Sequence, residues 1–234
     1  AAWQFGDAGL SVDSGLNNTA TVHDVTITNN FLSSTQGWEV CIWILAGNDV
    51  ATQSGTVVIA GNTCHGTINR YACLVIGNVE GGEELFPQQT YVIKDNICSG
   101  VCANVNVNMQ GAPSALTMDY NVFDASGTYI WNSGTATTFT NWKIQSGKDA
   151  NSATCAPSYV SGGTGNFRLL TGDMCAQDTG TGLAPYTSVD IDGTARPQNS
   201  LWDIGAFEFV GTPPPPPPPA TAGKRFPFRV KGGA

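Results

Sequence analysis

Asparagine recurs along this chain in two interleaved columns, and this recurrence limits the possible folds more than any other feature. In the first column the asparagines are 32, 34 and 25 residues apart, and each sits in the pattern apolar-x-x-Asn-x-apolar. In the second column an asparagine follows each of a series of apolar runs, at steps of 30, 30 and 24 residues. Two signals that advance together at this period indicate stacked copies of one supersecondary unit. The first column is Asn30, Asn62, Asn96 and Asn121, and the second is Asn48, Asn78, Asn108 and Asn132.

Each repeat consists of short runs rich in Val, Ile, Thr, Trp and Tyr, separated by Gly, Asn, Ser and Asp, which is the pattern of strands and turns. No amphipathic stretch of helix length lies between these runs, so strands joined by crossover helices are disfavoured. Strands that repeat in one direction without such helices can wind as a coil, and the rule for parallel connections makes it right-handed. The sequence therefore predicts an all-β fold, a right-handed parallel β-helix (solenoid) of about four to five coils with a loop-rich C-terminal end and an extended tail.

Both asparagine columns are predicted to be structural ladders at the corners of the coils. Asparagine tolerates a left-handed backbone at a bend, and its side-chain amide can pair with the asparagine of the next coil. We therefore expect these residues to be corner residues rather than catalytic groups or metal ligands.

The composition is typical of a rigid secreted protein. Charged residues make up only 12% of the chain, and no run is long and apolar enough to span a membrane. The chain starts with Ala1-Ala2, as a mature protein does after signal cleavage beside small residues. These features predict a protein that is secreted, either extracellular or held at a cell surface.

The chain has seven cysteines, and several pairings are open. Cys64 and Cys98 occupy the same motif position in successive coils, which lie about 4.8 Å apart, so a slightly stretched bridge along the stack is one possibility. Cys98 and Cys102 closing a small loop is another, and a column of buried thiols is a third.

Cys155 and Cys175 flank a Gly-rich stretch and are the favoured disulfide. No C-x-x-C spacing occurs, which disfavours zinc. The second strand of the repeat holds Cys41, Cys73 and Cys102, in a register that the sequence leaves open.

The C-terminal third departs from the repeat and carries two short motifs. From about residue 139 to residue 210 the chain is rich in Gly and Thr. The motifs are Asp190-Ile191-Asp192-Gly193-Thr194-Ala195-Arg196-Pro197 and Asp203-Ile204-Gly205-Ala206-Phe207-Glu208. Here the chain resembles bacterial secreted and surface β-helix proteins of the choice-of-anchor Q type, in the pectate-lyase-like superfamily. The resemblance implies a right-handed solenoid that these motifs finish, a variable anchor after it and a bacterial location. It implies no particular activity, because the members of the family differ in function.

Asp190, Asp192 and Gly193 are also similar to part of a calcium-binding loop. The later acidic ligand that such a loop needs is missing at the required spacing. We therefore expect no cofactor and no metal, with calcium at this loop as the alternative.

The composition divides the chain into three segments. Residues 1–210 form the predicted β-helix domain, residues 211–219 form a linker with seven prolines, and residues 220–234 form a basic, aromatic tail. The linker is predicted to be a polyproline II rod of roughly 22 Å. All eighteen acidic residues lie before the linker, with six Lys and Arg, whereas the tail has four positive charges and no acid. The two parts should therefore attract each other, within one molecule or between molecules.

The tail is predicted to dock on a neighbouring subunit. Phe226 and Phe228 alternate with basic residues, which suits a short strand added to the edge of another sheet. Trp3 and Phe5 also alternate like a strand, and no helical cap precedes them. Head-to-tail stacking of this kind generates open fibres, so we expect an extracellular structural subunit of a homopolymer; a flexible cell-wall spacer is the alternative. The predicted docking residues are Arg225, Phe226, Phe228, Arg229 and Lys231, with Trp3 and Phe5 at the receiving end.

An enzyme is a competing class, because the superfamily includes pectate and alginate lyases and polygalacturonase-like hydrolases. A lyase needs a basic group and a cation or second base, and Lys94 and Arg70 are the candidates. A hydrolase needs two carboxylates about 5 to 10 Å apart, and Asp95 and Asp119 occupy adjacent positions in successive coils. Solvated surface charges remain the competing interpretation of all four residues.

A third class is a carbohydrate-binding adhesin, in which exposed Trp and Tyr side chains stack on sugar rings. Trp43 and Trp131 lie in apolar strands and are expected to serve the core instead. Only two histidines are present and no nucleophilic triad is visible; His65 is expected to be a turn residue. The acidic body argues against a nucleic-acid partner.

Overall fold

The computed structural model describes residues 8–13, 24–34, 40–45, 55–66, 72–76, 89–100, 104–107, 116–132, 134–184 and 186–211. These residues form mostly strands, and most of the strands belong to three parallel sheets. Sheet A contains β1 (Ala8–Asp13), β4 (Val40–Leu45), β7 (Ala72–Ile76), β10 (Asn104–Val107) and β13 (Tyr129–Trp131). Sheet B contains β2 (Val25–Thr28), β5 (Gly55–Ala60), β8 (Gln89–Lys94) and β11 (Leu116–Asp119). Sheet C contains β3 (Phe31–Ser34), β6 (Thr63–Gly66), β9 (Ile97–Gly100), β12 (Val122–Phe123) and β14 (Ala153–Thr154).

Consecutive strands enter the three sheets in turn. From β1 to β10, each strand pairs in parallel with the strand three places later. The register follows the repeat seen in the sequence, since Ile27 pairs with Ile59 and Ile59 with Ile93. The all-β prediction is therefore confirmed, and the strands of the three sheets run parallel.

The main apolar core lies between the three sheets. Its members come from all of them, for example Ile44 of sheet A, Ile59 of sheet B and Cys64 of sheet C. β-Branched residues suit these positions because their branched side chains pack well on a pleated surface. Burying each such side chain stabilises the fold by about 1.5 to 3 kcal/mol. An interior void lined by Ile42, Phe123 and others has a volume of about 10 Å³, at most enough for one water molecule.

One helix closes the end of sheet A. Helix α1 (Phe139–Ser146) is capped by the side chain of Thr138, and it ends at Gly147, which has a left-handed backbone with φ of 65°. It buries Trp142, whose ring lies 5.9 Å from that of Tyr129 and 5.5 Å from that of Trp131. Helix α1 was not predicted, since this part of the sequence was interpreted as loop. Its eight residues show no apolar stripe, and Trp142 is the residue that the helix buries against the core.

A hairpin and an irregular segment follow β14. Strands β15 (Tyr159–Ser161) and β16 (Asn166–Leu169) are antiparallel and joined by a 3-10 turn at Gly162–Thr164. Phe167 of this hairpin packs on Phe31 of sheet C, with 4.7 Å between ring centroids. In residues 176–211, which we call the C-terminal segment, the described positions form no helix or strand apart from an isolated bridge at Val189 and Ala195.

Three disulfides link the described residues. Cys41 joins Cys64 and Cys73 joins Cys98, each across the core from sheet A to sheet C. Cys155 and Cys175, the pair that the sequence favours, form the third. Cys64 and Cys98 are neighbours in register, but the bridge between them that was one possibility is wrong, as are the Cys98–Cys102 loop and the column of free thiols, because both cysteines pair with sheet A. Their side chains point into the core, where the facing cysteines of sheet A lie, rather than along the stack. Cys102 lies outside the described residues.

This pairing gives a direct test. Digestion of the unreduced protein is expected to release three linked peptide pairs: Cys41 with Cys64, Cys73 with Cys98, and Cys155 with Cys175. Mass spectrometry before and after reduction identifies them. A peptide that links Cys64 to Cys98 would contradict the arrangement across the core.

Several predicted features lie outside the described residues, and for these the predictions stand as made. They are Asn48, Asn78, Asn108, Arg70, Trp3, Phe5 and the docking residues of the tail. Within the described part of the chain, no helix has the length and apolar character needed to cross a membrane.

Candidate functional site

The first asparagine column forms a continuous ladder along the corner between sheets B and C. The Nδ2 of each asparagine donates to the Oδ1 of the asparagine in the next repeat, at 3.0, 2.9 and 3.0 Å. The same Oδ1 accepts the backbone N–H of the preceding rung, at 2.9, 3.1 and 3.1 Å. The column therefore stabilises the corner by linking successive repeats, as a structural ladder does. The rungs are Asn30, Asn62, Asn96 and Asn121.

The left-handed backbone at this corner belongs to the residue before each rung. φ is 55° at Asn29, 63° at Gly61, 54° at Asp95 and 57° at Tyr120. The expectation that the ladder asparagines themselves take this conformation is therefore wrong. Each rung has to direct both its backbone N–H and its amide along the stack, so the chain turns one residue earlier. In the second column the described member, Asn132, does have a left-handed φ of 48°.

Asp149 ends the ladder beside α1. Its Oδ1 accepts the amide of Asn121 at 3.1 Å and the hydroxyl of Ser152 at 2.6 Å. Its Oδ2 accepts the indole N–H of Trp142 at 2.8 Å. Because an ionised carboxylate only accepts hydrogen bonds, it satisfies the last amide without requiring another rung. Burial raises the pKa of Asp149, and these hydrogen bonds oppose that rise.

Three of the candidate catalytic residues lie close together along β8 and β11, and the two aspartates among them hold structural contacts. Lys94 and Asp119 are register partners on β8 and β11, and Asp95 follows Lys94 directly. The carboxylate of Asp119 accepts the backbone N–H and the side-chain amide of Asn151, at 2.7 and 2.8 Å. Asp95 is 0% exposed, and both of its carboxylate oxygens accept the N–H of Thr181, at 3.0 and 3.1 Å. The C-terminal segment therefore covers Asp95 and keeps it away from a polymeric substrate.

Arg196 joins the two C-terminal motifs in a buried polar cluster. Its Nη1 donates to the backbone oxygen of Asp203 at 2.8 Å and to Oε2 of Glu208 at 3.3 Å, and its Nη2 donates to the backbone oxygen of Gly205 at 2.6 Å. The side chains of Arg196 and Glu208 are at most 1% exposed. Burial raises the pKa of Glu208 and lowers that of Arg196, while the pairing of the two charges opposes both shifts. The sequence marked these residues as motifs but did not predict that they form one cluster.

In the loop interpreted as a possible calcium site, both carboxylate oxygens of Asp190 accept backbone N–H groups. Oδ1 of Asp190 accepts the N–H groups of Asp192 and Thr194, at 2.9 and 2.7 Å, and Oδ2 accepts the N–H of Glu208 at 2.9 Å. Asp192 pairs with Arg168 at 2.6 Å. Over the ranges that the structure describes, no group of three or more His, Cys, Asp or Glu side chains is placed to hold a metal ion.

A second polar chain, which the sequence did not predict, links sheet C to the β15–β16 hairpin. His65 Nδ1 lies 3.0 Å from the hydroxyl of Ser99, which lies 3.0 Å from the hydroxyl of Tyr159. His65 is a strand residue of β6 rather than the expected turn residue. Ser99 is 4% exposed, and Phe167 packs on the imidazole at 4.6 Å. Burial lowers the pKa of His65. The chain therefore fixes the hairpin on the sheet and does not present Ser99 as a nucleophile.

Comparisons with protein-family models, with curated proteins and with solved structures find no match to this chain. What the protein does is therefore inferred from its own residues and contacts.

Proposed function

We propose that this chain is an extracellular structural protein of the bacterial surface, and that its three sheets are the faces of a right-handed parallel β-helix. The proposal rests in part on the resemblance of its C-terminal motifs to proteins of the choice-of-anchor Q type. The order of the strands supports the β-helix. A chain that visits three sheets in turn, and lies in parallel beside its own strand from three places earlier, advances by one layer in each repeat.

The disulfides support an extracellular location. Cys41–Cys64 and Cys73–Cys98 tie opposite sheets together inside the core. Disulfides persist in oxidising environments and are rare in reducing cytosol. Each such link also restricts the unfolded chain, which favours the folded state by about 2 to 4 kcal/mol. A surface protein that meets proteases and variable solvent benefits from this resistance.

The observation that carries the structural role is that polar side chains at the sheet corners hold the chain together. Asp95 and Asp119, the candidate catalytic pair, accept hydrogen bonds from Thr181 and Asn151. The amides of the asparagine column are used in rung-to-rung contacts and in hydrogen bonds to backbone oxygens of the sheets. Side chains committed to such contacts add rigidity along the stack, which suits a protein that serves as a rod.

The proposed assembly is a homopolymer in which the basic tail docks on the next subunit. Among the described strands, β1, β2 and β3 each pair on one side only. The edge of a parallel sheet offers N–H and C=O groups to an added strand. The excess of acidic residues before the linker complements the four positive charges of the tail. At the other end α1 covers sheet A, with Ile144 77% exposed on its outer side.

Electron microscopy of three purified proteins tests this proposal. The full chain is expected to form filaments, whereas a chain that ends at Val210 and a full-length variant with Phe226→Ala and Phe228→Ala are expected to remain as single particles. A full-length Thr221→Ala protein is the matched control and should polymerise. Filaments from the shortened chain would assign the assembly to the stack ends instead of the tail. Single particles from the full chain would contradict self-association, and cleavage of an acidic polysaccharide by it would contradict a purely structural role.

A further inference from the structure

Asp95 occupies an unusual position for an acidic residue. It lies at the corner after β8 with a left-handed φ of 54°, and it is completely buried. Within the described part of the chain, the hydrogen bonds to its carboxylate come from one donor, the N–H of Thr181, which the two oxygens share at 3.0 and 3.1 Å. A buried carboxylate with so little compensation is costly to ionise.

The charges around Asp95 do not offset this cost. Facing it are Arg196 from the C-terminal segment, Lys94 from β8 and Asp119 from β11. The two cations favour ionisation and Asp119 opposes it. In the described ranges the ion pairs are Arg168–Asp192 and Arg196–Glu208, so Asp95 belongs to neither. Burial is the largest influence and raises the pKa of Asp95 to about 7.

The same corner is where the C-terminal segment meets the sheets. The backbone oxygen of Asp95 accepts the N–H of Gly205 at 2.8 Å. Ala206 donates its N–H to the hydroxyl of Thr63 at 2.9 Å. Leu183 is fully buried in a small cluster with Val58, Ala60 and Val92 of sheet B. Loss of the Thr181 contact would therefore loosen the segment beside its main attachment.

We propose that Asp95 is a pH-sensitive latch, whose neutral carboxyl group holds the C-terminal segment on the sheets and whose ionisation lets that segment open. In the neutral form one oxygen accepts the N–H of Thr181 and no charge is buried. In the ionised form the closed state retains an unpaired negative charge that water solvates when the segment opens.

The direction of the pH effect follows from the two states. The folded pKa lies above the value of 3.8 for a solvated aspartate, so the closed state binds the proton more tightly. The stabilising contribution is complete below about pH 4 and is lost as the pH rises to about 7. The opening equilibrium should increase by up to about tenfold per pH unit in this window and then level off.

Native-state hydrogen exchange on the full-length protein measures this opening, after correction for the intrinsic pH dependence of amide exchange. For the Thr181 and Gly205 amides we expect the opening equilibrium to be about 50-fold larger at pH 7 than at pH 5. The Ile97 and Val122 amides, which donate to ladder residues between the sheets, should change by less than about threefold if the opening is local.

Asp95→Asn carries an amide that is always neutral and accepts the left-handed backbone readily. This variant should lose the part of the pH dependence at Thr181 and Gly205 that Asp95 contributes, about 50-fold between pH 5 and pH 7, whereas Asp192→Asn, at the exposed pair with Arg168, should keep the wild-type profile. An unchanged profile in Asp95→Asn would overturn the proposal. Should the variant fold poorly, an NMR titration of the carboxyl carbon of Asp95 in the wild-type protein tests the proposal instead. A titration midpoint near pH 7 is expected, and a midpoint below about pH 5 would also overturn it.

Discussion

Replacing Arg196 with methionine is expected to lower the free energy of unfolding by about 3 to 5 kcal/mol. Methionine retains much of the apolar volume of arginine, so the loss isolates the charge and its hydrogen bonds. The guanidinium donates to the backbone oxygens of Asp203 and Gly205 and to the carboxylate of Glu208. Without it, these acceptors remain buried and Glu208 becomes an unpaired buried charge, which is the costly case for an internal ion pair.

The charge balance around Arg196 makes this effect larger. Four buried carboxyl groups act on this one guanidinium, and every one of them opposes the lowering of its pKa by burial. Burial also raises the pKa of Asp203 to about 7. Removal of the single cation therefore raises the cost of ionising all of them. The four are Glu208, Asp190, Asp203 and Asp95.

Arg168→Met is the matched control for this prediction. Arg168 also pairs with an aspartate and lies over the ring of Phe207, at 5.0 Å. Its partner Asp192 is 36% exposed, and exposed ion pairs contribute about 0 to 1 kcal/mol. Urea titration of the full-length variants measures both losses. Equal losses for Arg196→Met and Arg168→Met would show that burial of the cluster does not set its energy.

The repeat in the sequence predicted the strands and one ladder because both depend on local spacing. Ile27, Ile59 and Ile93 have the same position relative to the next asparagine, and parallel pairing in register brings them side by side. A column of identical amides at one corner then follows from geometry. The strands, and their register within one sheet, can therefore be predicted from the spacing of the sequence repeat.

The disulfides across the core could not be predicted in the same way. Cys64 and Cys98 lie in register on sheet C, so the sequence suggested a bridge between them. Their actual partners, Cys41 and Cys73, lie on sheet A, 23 and 25 residues away along the chain. Which residue faces which across the core depends on the connections between sheets, and these vary in length from repeat to repeat.

The contacts of the candidate catalytic pair could not be predicted from the sequence, for a different reason. The repeat placed Asp95 and Asp119 at matching corner positions, but their hydrogen-bond partners lie 86 and 32 positions further along the chain. Thr181 covers one and Asn151 binds the other. Neither Thr181 nor Asn151 belongs to the repeat, so the spacing of the repeat does not predict these contacts. The latch at Asp95 and the Arg196 cluster both arise where an irregular segment folds back on the regular part.

Asn96→Ala is expected to lower the free energy of unfolding by about 3 kcal/mol or more. Asn96 lies in the middle of the ladder, where its Oδ1 accepts both the backbone N–H and the amide of Asn62. Its own amide donates to the backbone oxygen of Ile59 and to Asn121. Alanine removes all four contacts, and each buried polar group left without a partner costs about 1 to 3 kcal/mol. Urea titration of the full-length protein measures the loss.

Asn199→Ala is the control, since Asn199 is exposed and its amide contacts Asp178 at 3.3 Å; its loss should stay within about 0.5 kcal/mol. The ladder also predicts coupling. Asn62→Ala alone removes the side-chain donor that Asn96 accepts and keeps the backbone donor, so the double variant should lose less than the sum of the single losses, with a coupling of about 0.5 to 3 kcal/mol. Additive losses would mean that each asparagine acts through its own backbone contacts, and that the rung-to-rung bonds do not stabilise the stack.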